Sequence, residues 1–350
     1  MGNRILHILP VNTFTIPFVK FVNKEFDSHE HTFLFTSNPG KELTDSNKNI
    51  IILHCRQKFR IDIVKNIVLF FTLLNNSRKI ILHGLPPLNY YILFPWVLKK
   101  TFWTIYGYEI YPGKSIESKI FKLKKEFVLK RVSGYITHIR GDADLAKKIF
   151  NSKAKYYYSP IYMSNIVIKN GLNVQKQFTN KNSLNILIGN SASPTNNHSS
   201  IFKLLESYKS ANIKIYCPLS YGNYPEYRNN VIYEGKRIFN DKFIPITDFM
   251  IKSDYEKFLQ DIDIAIFNHN RQEAMGVTIS LLGMGKTIYM NSNTTSYKSL
   301  QERGFKIFDI ELIKNEELSV TKDISDNYKL IDRYYSYDVL RDSWKLIFKG

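Results

Sequence analysis

Cysteine is scarce in this chain: Cys55 and Cys217 are the only two among 350 residues. They stand in separate halves on apolar stretches, with neither disulfide nor zinc spacing, and read as buried thiols in a reducing compartment. Disulfide-stapled and zinc-ribbon folds are thereby excluded. Long apolar runs are missing too. The longest, Ile67–Leu74, is well short of the roughly 18 residues that cross a bilayer. The amino terminus enters a strand pattern directly and has no signal-peptide core, so export is not expected. No His or Cys pair has metal-site spacing. Asp142-Ala-Asp144 precedes a helix pattern and Asp261-Ile-Asp263 enters a strand, so neither reads as a metal–nucleotide motif. Chemistry without metal or cofactor is expected. Internal repeats and the usual DNA or RNA motifs are absent, so nucleic acid is not an expected partner.

Acidic residues are in deficit, with 31 Asp and Glu against 49 Lys and Arg, a net charge of +18. The excess is uneven. Residues 1–165 carry 25 basic and 11 acidic side chains, a net +14, whereas residues 166–350 carry 24 and 20. A half so basic needs an anionic partner, and an anionic membrane surface or lipid head group is the expected one. Lys119–Arg131 mixes Lys with Phe, Leu and Val at helical spacing. Leu85–Trp103 adds Tyr, Phe and Trp, the side chains that anchor at lipid interfaces. A solvated surface helix is the alternative reading of the first segment.

Short apolar runs alternate with helix-length segments throughout, which predicts an α/β chain with parallel sheets. Strands are expected at Ile5–Leu9, Thr32–Phe35, Ile50–His54, Lys79–His83, Thr101–Ile105 and Gly134–His138. A second set is expected at Asn185–Ile188, Lys214–Cys217, Ile244–Thr247, Ile262–Phe267, Lys286–Met290 and Phe305–Phe308. The pattern divides into a domain over 1–165, a polar linker over 166–183, a second domain over 184–334 and a closing helix over 335–350. Two doubly wound domains facing each other form a cleft at the carboxyl ends of their strands, where ligands bind.

Several candidate site residues follow strands. In Asn185-Ile-Leu-Ile-Gly-Asn-Ser, a strand empties into a small-residue turn at Gly189, Asn190 and Ser191, with a helix pattern beginning near Asn196. Such a turn offers free backbone N–H groups to a nucleotide diphosphate. After Phe267 a polar loop leads through Arg271 and Gln272 to Gly276, which opens an apolar helix containing Thr278. Arg271 can clamp a phosphate, Gly276 allows its approach and Thr278 can donate to it. Glu109 follows the Trp103 strand and can accept the proton of an attacking sugar hydroxyl, or else cap a helix or pair with a lysine. Arg140 and Asp142 follow the next strand; Asp142 can also serve as N-cap of a helix Ala143–Phe150. His7, His54, His83 and His138 are placed at or near strand ends, where each is an acid–base candidate or a structural histidine. His83 is the best of them because Gly84 lets a substrate come close.

Taken together these residues resemble glycosyltransferase family 56, whose characterised activity is TDP-N-acetylfucosamine:lipid II N-acetylfucosaminyl transfer, often called 4-alpha-L-fucosyltransferase. The matching pieces, over most of residues 1–310, include His83-Gly84, Trp103, Gly107-x-Glu109-x-Tyr111, Lys130-Arg131-Val132 and Arg140-Gly141-Asp142. Gly189-Asn-Ser with Pro194-x-Asn196-x-His198, and Arg271-Gln272 with Gly276-x-Thr278, complete the match. Glu109 stands where the family pattern has Asp. The resemblance implies a GT-B fold of two facing Rossmann-like domains, with the donor in the second. It implies a dTDP-sugar donor carrying a 4-acetamido-4,6-dideoxygalactose and an undecaprenyl-diphosphate-linked acceptor, as in enterobacterial common antigen or O-antigen synthesis. It also implies peripheral attachment at the cytoplasmic face of the bacterial inner membrane. Two other readings remain at this point: a nucleotide-sugar epimerase or hydrolase of the same fold, and a non-catalytic membrane-binding protein.

Overall fold

Runs of β-branched and aromatic residues pair side by side in the computed structural model, giving two all-parallel sheets with helices between successive strands. The structure describes residues 4–53, 60–85, 88–111, 118–167, 183–314, 318, 320 and 326–350. His54, Cys55 and most of the expected linker lie outside the described residues. Cys217 is a buried free thiol. The chain divides into two compact units, one of Met1–Ser164 with Tyr337–Gly350, the other of Asn165–Ser336.

The first unit holds β1 (Arg4–Leu9), β2 (His31–Phe35), β3 (Ile50–Ile52), β4 (Ser77–His83), β5 (Thr101–Thr104), β6 (Gly134–Thr137) and β7 (Lys155–Tyr158). Their order is β3-β2-β1-β4-β5-β6-β7. The second unit holds β8 (Leu184–Ile188), β9 (Ile213–Pro218), β10 (Phe243–Ile246), β11 (Ile264–Phe267), β12 (Thr287–Met290) and β13 (Phe308–Asp309), in the order β10-β9-β8-β11-β12-β13. The order reverses between β1 and β4 in one sheet and between β8 and β11 in the other. At such reversals, loops leave neighbouring strands towards opposite faces and open a crevice at the carboxyl edge. β7 escaped the sequence reading because its Lys-Tyr-Tyr-Tyr core has little aliphatic character. The strand expected at Phe305–Phe308 is displaced to Phe308–Asp309, since Phe305 follows the left-handed Gly304 and packs beside Tyr335.

Strand alternation explains the first core. Leu6 and Ile8 of β1 join Leu34, Ile80, Leu82 and Trp103 on one face. His7 points to the other face, where its ring stacks on Phe33 and meets Phe18 and Phe348 edge-on. The closing helix, Tyr337–Lys349, belongs to this same unit. Trp344 is fully buried, contacts Phe18 at 4.9 Å between ring centroids and donates its indole N–H to the Ile161 carbonyl. Arg78 donates to the Phe348 carbonyl at 2.7 Å, and the buried Lys79 ammonium donates to that of Ile347. Two cations thus meet the carboxyl end of the helix, where its dipole is negative. Burial lowers the Lys79 ammonium to a pKa of about 8, with Arg78 adding to the shift.

Removing the anchor tests this arrangement. Trp344→Ala is expected to cost about 3–5 kcal/mol, read as a lower urea midpoint for the first unit. A midpoint unchanged from wild type would show that the helix is an appendage.

Candidate active site

In the first unit the carboxyl edge of β4 and β5 brings together Gly84, Tyr106 and Glu109. Gly84 (φ +79°) has no room for a side chain: a Cβ would lie 2.7 Å from the Tyr106 ring and 3.2 Å from Glu109 Oε1. Gly107 (φ +96°) turns the chain so that Glu109 folds back, and its Oε2 accepts the Tyr106 backbone N–H at 2.8 Å. The carboxyl is 2% exposed and its Oε1 has no hydrogen-bond partner. Burial raises its pKa from 4.5 to about 8, although the Tyr106 N–H and the Lys125 charge favour the anion. A carboxyl tuned near neutrality with one idle oxygen suits proton transfer. It caps no helix.

The other candidates of this unit lie differently. His83 is buried, and both ring nitrogens are engaged: Nδ1 with the Tyr162 hydroxyl at 2.7 Å and Nε2 with His7 Nδ1 at 3.2 Å. His7 continues to His31 at 3.0 Å, and Tyr162 continues to the Tyr106 hydroxyl at 2.7 Å. His7 therefore lies within the sheet and not at a strand end. Burial holds His83 near a pKa of about 3 and His31 near about 4, so at neutral pH both are uncharged. His138 is buried beyond β6. Arg140 opens the helix Arg140–Phe150 on the surface and pairs with Asp144 at 3.7 Å. Asp142 is not the N-cap. The helix starts three residues earlier than expected, Ile139 occupies the cap position, and the buried Asp142 carboxylate accepts the Tyr111 hydroxyl at 3.0 Å.

In the second unit two loops leave the reversal point, one after β8 and one after β11. The first is not a row of free donors. Gly189 N–H bonds to the Ile266 carbonyl, Asn190 N–H to Asn196 Oδ1 and Ala192 N–H to the Tyr221 carbonyl. Gly189 (φ +62°) is confined, because a Cβ would sit 2.6 Å from His198 Nε2 and 2.7 Å from Asn196 Oδ1. Ser191 Oγ accepts from Asn196, and Asn190 Oδ1 meets His269 at 3.1 Å. This loop is a frame that fixes the second loop.

The second loop carries the charge. Arg271 lies against Glu273, with Nε at 2.6 Å and Nη2 at 2.5 Å from Oε1. The Thr195 hydroxyl donates to the same carboxylate at 2.8 Å, so Glu273 ties the two loops together. Gln272 Oε1 is buried without a hydrogen-bond partner. Ala274 takes a left-handed conformation (φ +57°) and turns the chain into the helix Met275–Gly283, which no side chain caps. Gly276 lies in its first turn, where the leading N–H groups have no partner within the helix. Thr278 is fully buried and its hydroxyl donates to the Ala274 carbonyl, so it locks the helix start from inside. Glu273 and His269 escaped the sequence reading. An acid two residues from Arg271 was the one available signal for Glu273, whereas the His269 contacts join positions 73 and 79 residues apart. Among the described residues no three His, Cys, Asp or Glu side chains form a group that could hold a metal ion.

This architecture is shared with solved glycosyltransferases. A glycosyltransferase from Rickettsia africae ESF-5 matches with a TM-score of 0.66 at 16% identity, covering 99% of this chain and 98% of that one. HepE from Anabaena, solved with UDP and glucose, matches with a TM-score of 0.70 at 8% identity, over 99% and 100% of the two chains. Sucrose-phosphate synthase from Thermosynechococcus elongatus matches with a TM-score of 0.69 at 8% identity, over 99% and 98%. The fold is GT-B. The chain belongs to the 4-alpha-L-fucosyltransferase family, glycosyl transferase group 56, whose pattern spans residues 10–333. It is a glycosyltransferase, which sets aside the non-catalytic reading.

Glu109 leaves a measurable trace on stability. An unfolded Glu ionises above about pH 4.5, whereas the folded carboxyl stays protonated until about pH 8. Folding stability contributed by the protonated group is therefore full below pH 4.5 and declines up to pH 8, at about 1.4 kcal/mol per pH unit. Glu109→Gln, neutral throughout, is expected to match wild type at pH 4.5 and gain on it steadily as pH rises to 8. Parallel urea midpoints across that range would remove the proposed protonation state.

Proposed function

We propose that the protein transfers a 4-acetamido-4,6-dideoxygalactose from a dTDP-sugar to a polyprenyl-diphosphate-linked saccharide, without metal. It would work as a peripheral protein at the cytoplasmic face of the bacterial inner membrane. Family membership supports glycosyl transfer, and the named sugar and acceptor follow the activity that the family resemblance implies. The observation that carries the donor assignment is the Arg271 loop, where a guanidinium lies five residues ahead of Gly276 and an uncapped helix start; the idle Gln272 Oε1 can accept from a hydroxyl of the sugar. In this reading the donor diphosphate replaces Glu273 as the main partner of Arg271 and meets the N–H groups around Gly276. Charge builds on the departing diphosphate during transfer, and preorganised donors stabilise it there without reorganisation. Gly189, Asn190, Ser191 and Thr278 act by holding that loop. Glu109 takes the proton from the acceptor hydroxyl through its idle Oε1, which Gly84 approaches without a side chain of its own. Its basic form then requires the loss of a proton near pH 8.

Two experiments test these assignments. Arg271→Ala is expected to lower kcat/KM by about 100-fold or more and to abolish the rise in melting temperature that dTDP gives the wild type; UDP, GDP and ADP serve as controls. A normal dTDP shift in this variant would remove Arg271 from the diphosphate site. Separately, wild-type kcat/KM should rise with pH through an apparent pKa of about 8. Glu109→Gln should lose that limb together with most of the turnover. Full activity in Glu109→Gln would show that another group is the base.

A further inference from the structure

Three consecutive segments of the first unit expose apolar side chains that the core does not need. The helix Arg60–Asn76 buries Phe70 and Leu74 completely. Another stripe of the same helix presents Val64, Val68 and Phe71, spaced at i, i+4 and i+7, with 59%, 56% and 42% of their surface open. The short helix Leu88–Leu93 and the turn Pro95–Lys100 add Leu93 and Trp96, each more than half exposed. The helix Lys119–Leu129 adds Ile120 and Leu123.

Direct contacts make these segments one surface. Phe71 touches Phe94 at 5.1 Å, and Phe94 touches Trp96 at 5.6 Å, centroid to centroid. Trp96 donates its indole N–H to Asn75 Oδ1 at 2.9 Å, which pins the ring beside the first helix with its polar atom satisfied. Lys124 reaches Asn89 at 2.7 Å and joins the third helix to the second. Exposed apolar residues are ordinary when scattered, but a continuous patch of this kind marks an interaction site.

Charge identifies the partner. On these segments Lys65, Lys99, Lys119 and Lys122 are exposed. On the third helix Lys119 and Lys122 are exposed between and beside Ile120 and Leu123, and Glu126 is its one acid. Interfaces between proteins are depleted in lysine at their centres. Lysine interleaved with aliphatic and indole side chains instead matches a bilayer surface. There the apolar groups enter the acyl boundary and the ammonium groups meet anionic head groups.

We infer that this three-segment face docks on an anionic phospholipid bilayer, with Val68, Leu93, Trp96 and Leu123 entering the lipid and the lysines of the third helix at the head groups. The inference rests on the peripheral-membrane reading proposed above and gives it a location that can fail independently. The docking takes place by partial insertion. No helix among the described residues is long and apolar enough to cross a membrane.

The full-length protein is tested by co-sedimentation with vesicles of equal phosphatidylglycerol and phosphatidylcholine, against vesicles of phosphatidylcholine alone. Trp96 is a built-in reporter, since Trp103 and Trp344 are fully buried and only Trp96 is open to change its surroundings. Wild type should bind the anionic vesicles with a blue shift in tryptophan emission, and added salt should release it. The triple variant V68S/L93S/L123S alters exposed positions only, and should lose vesicle affinity by about tenfold or more while keeping its melting temperature and its dTDP shift. Lys119→Glu with Lys122→Glu should weaken binding to the anionic vesicles alone. Equal binding by the triple variant, or equal binding of wild type to the uncharged vesicles, would overturn the proposal. So would a triple variant that keeps vesicle binding but loses self-association in size-exclusion chromatography, because the face would then join copies of the protein. A missing dTDP shift with intact vesicle binding would instead count against the donor assignment and leave the docking face standing.

Discussion

Parallel pairing is the constraint on which the rest of this structure depends. Parallel strands need a crossover for every return, so all carboxyl ends collect at one edge and the crossover helices cover both faces. In each unit the order reverses once, at β1 beside β4 and at β8 beside β11. The residues with the clearest chemical potential lie close to those reversals. Gly84 follows β4 directly, and the two stitched loops of the second unit follow β8 and β11. The polar groups there are held by the ends of the strands behind them, so they are set in place before any substrate arrives.

The two units use buried polar groups in opposite ways. In the first, neutral imidazoles and phenols hydrogen-bond in series from His31 through His7, His83 and Tyr162 to Tyr106, with each group satisfying its neighbour. Burial keeps the histidines uncharged, and the series supports the wall against which Glu109 rests. Glu109 itself is left one hydrogen bond short, which is costly for a buried anion and raises its pKa. In the second unit the arrangement is ionic. Arg271 and Glu273 neutralise each other, and Thr195 and Asn196 distribute that carboxylate across both loops. A ligand that took Arg271 from Glu273 would leave that carboxylate to the Thr195 hydroxyl and the Asn196 amide.

The site was partly legible from the chain. Glu109, Arg271, Gln272 and Gly276 stand out as candidates in the sequence because each follows a strand and suits a phosphate or hydroxyl partner. Other readings were displaced by contacts that no local pattern encodes. His83 looked open because glycine follows it, yet Tyr162, 79 residues later, occupies its ring nitrogen. Asp142 looked like a cap because a helix pattern follows it, but the helix begins at Arg140 and the carboxylate serves Tyr111. The turn at Gly189 looked like a donor row, but Ile266 and Asn196 use its first two N–H groups.

Local order determined what could be read directly: alternation of apolar runs and helix-length segments, excess positive charge in the first half, and glycines where the backbone must turn left-handed. These depend on neighbours along the chain, so the sequence by itself determined the parallel α/β class and the strand-end positions of the chemical groups. Only the tertiary structure decided which of those groups are idle. It returned the last helix to the first unit through Trp344, Arg78 and Lys79, and it paired Arg271 with Glu273 and Thr195. It also left the Val68, Leu93 and Leu123 side chains uncovered. Hydrogen bonding and burial are settled by which distant segments meet, and a side chain's protonation, partners and exposure follow from that meeting.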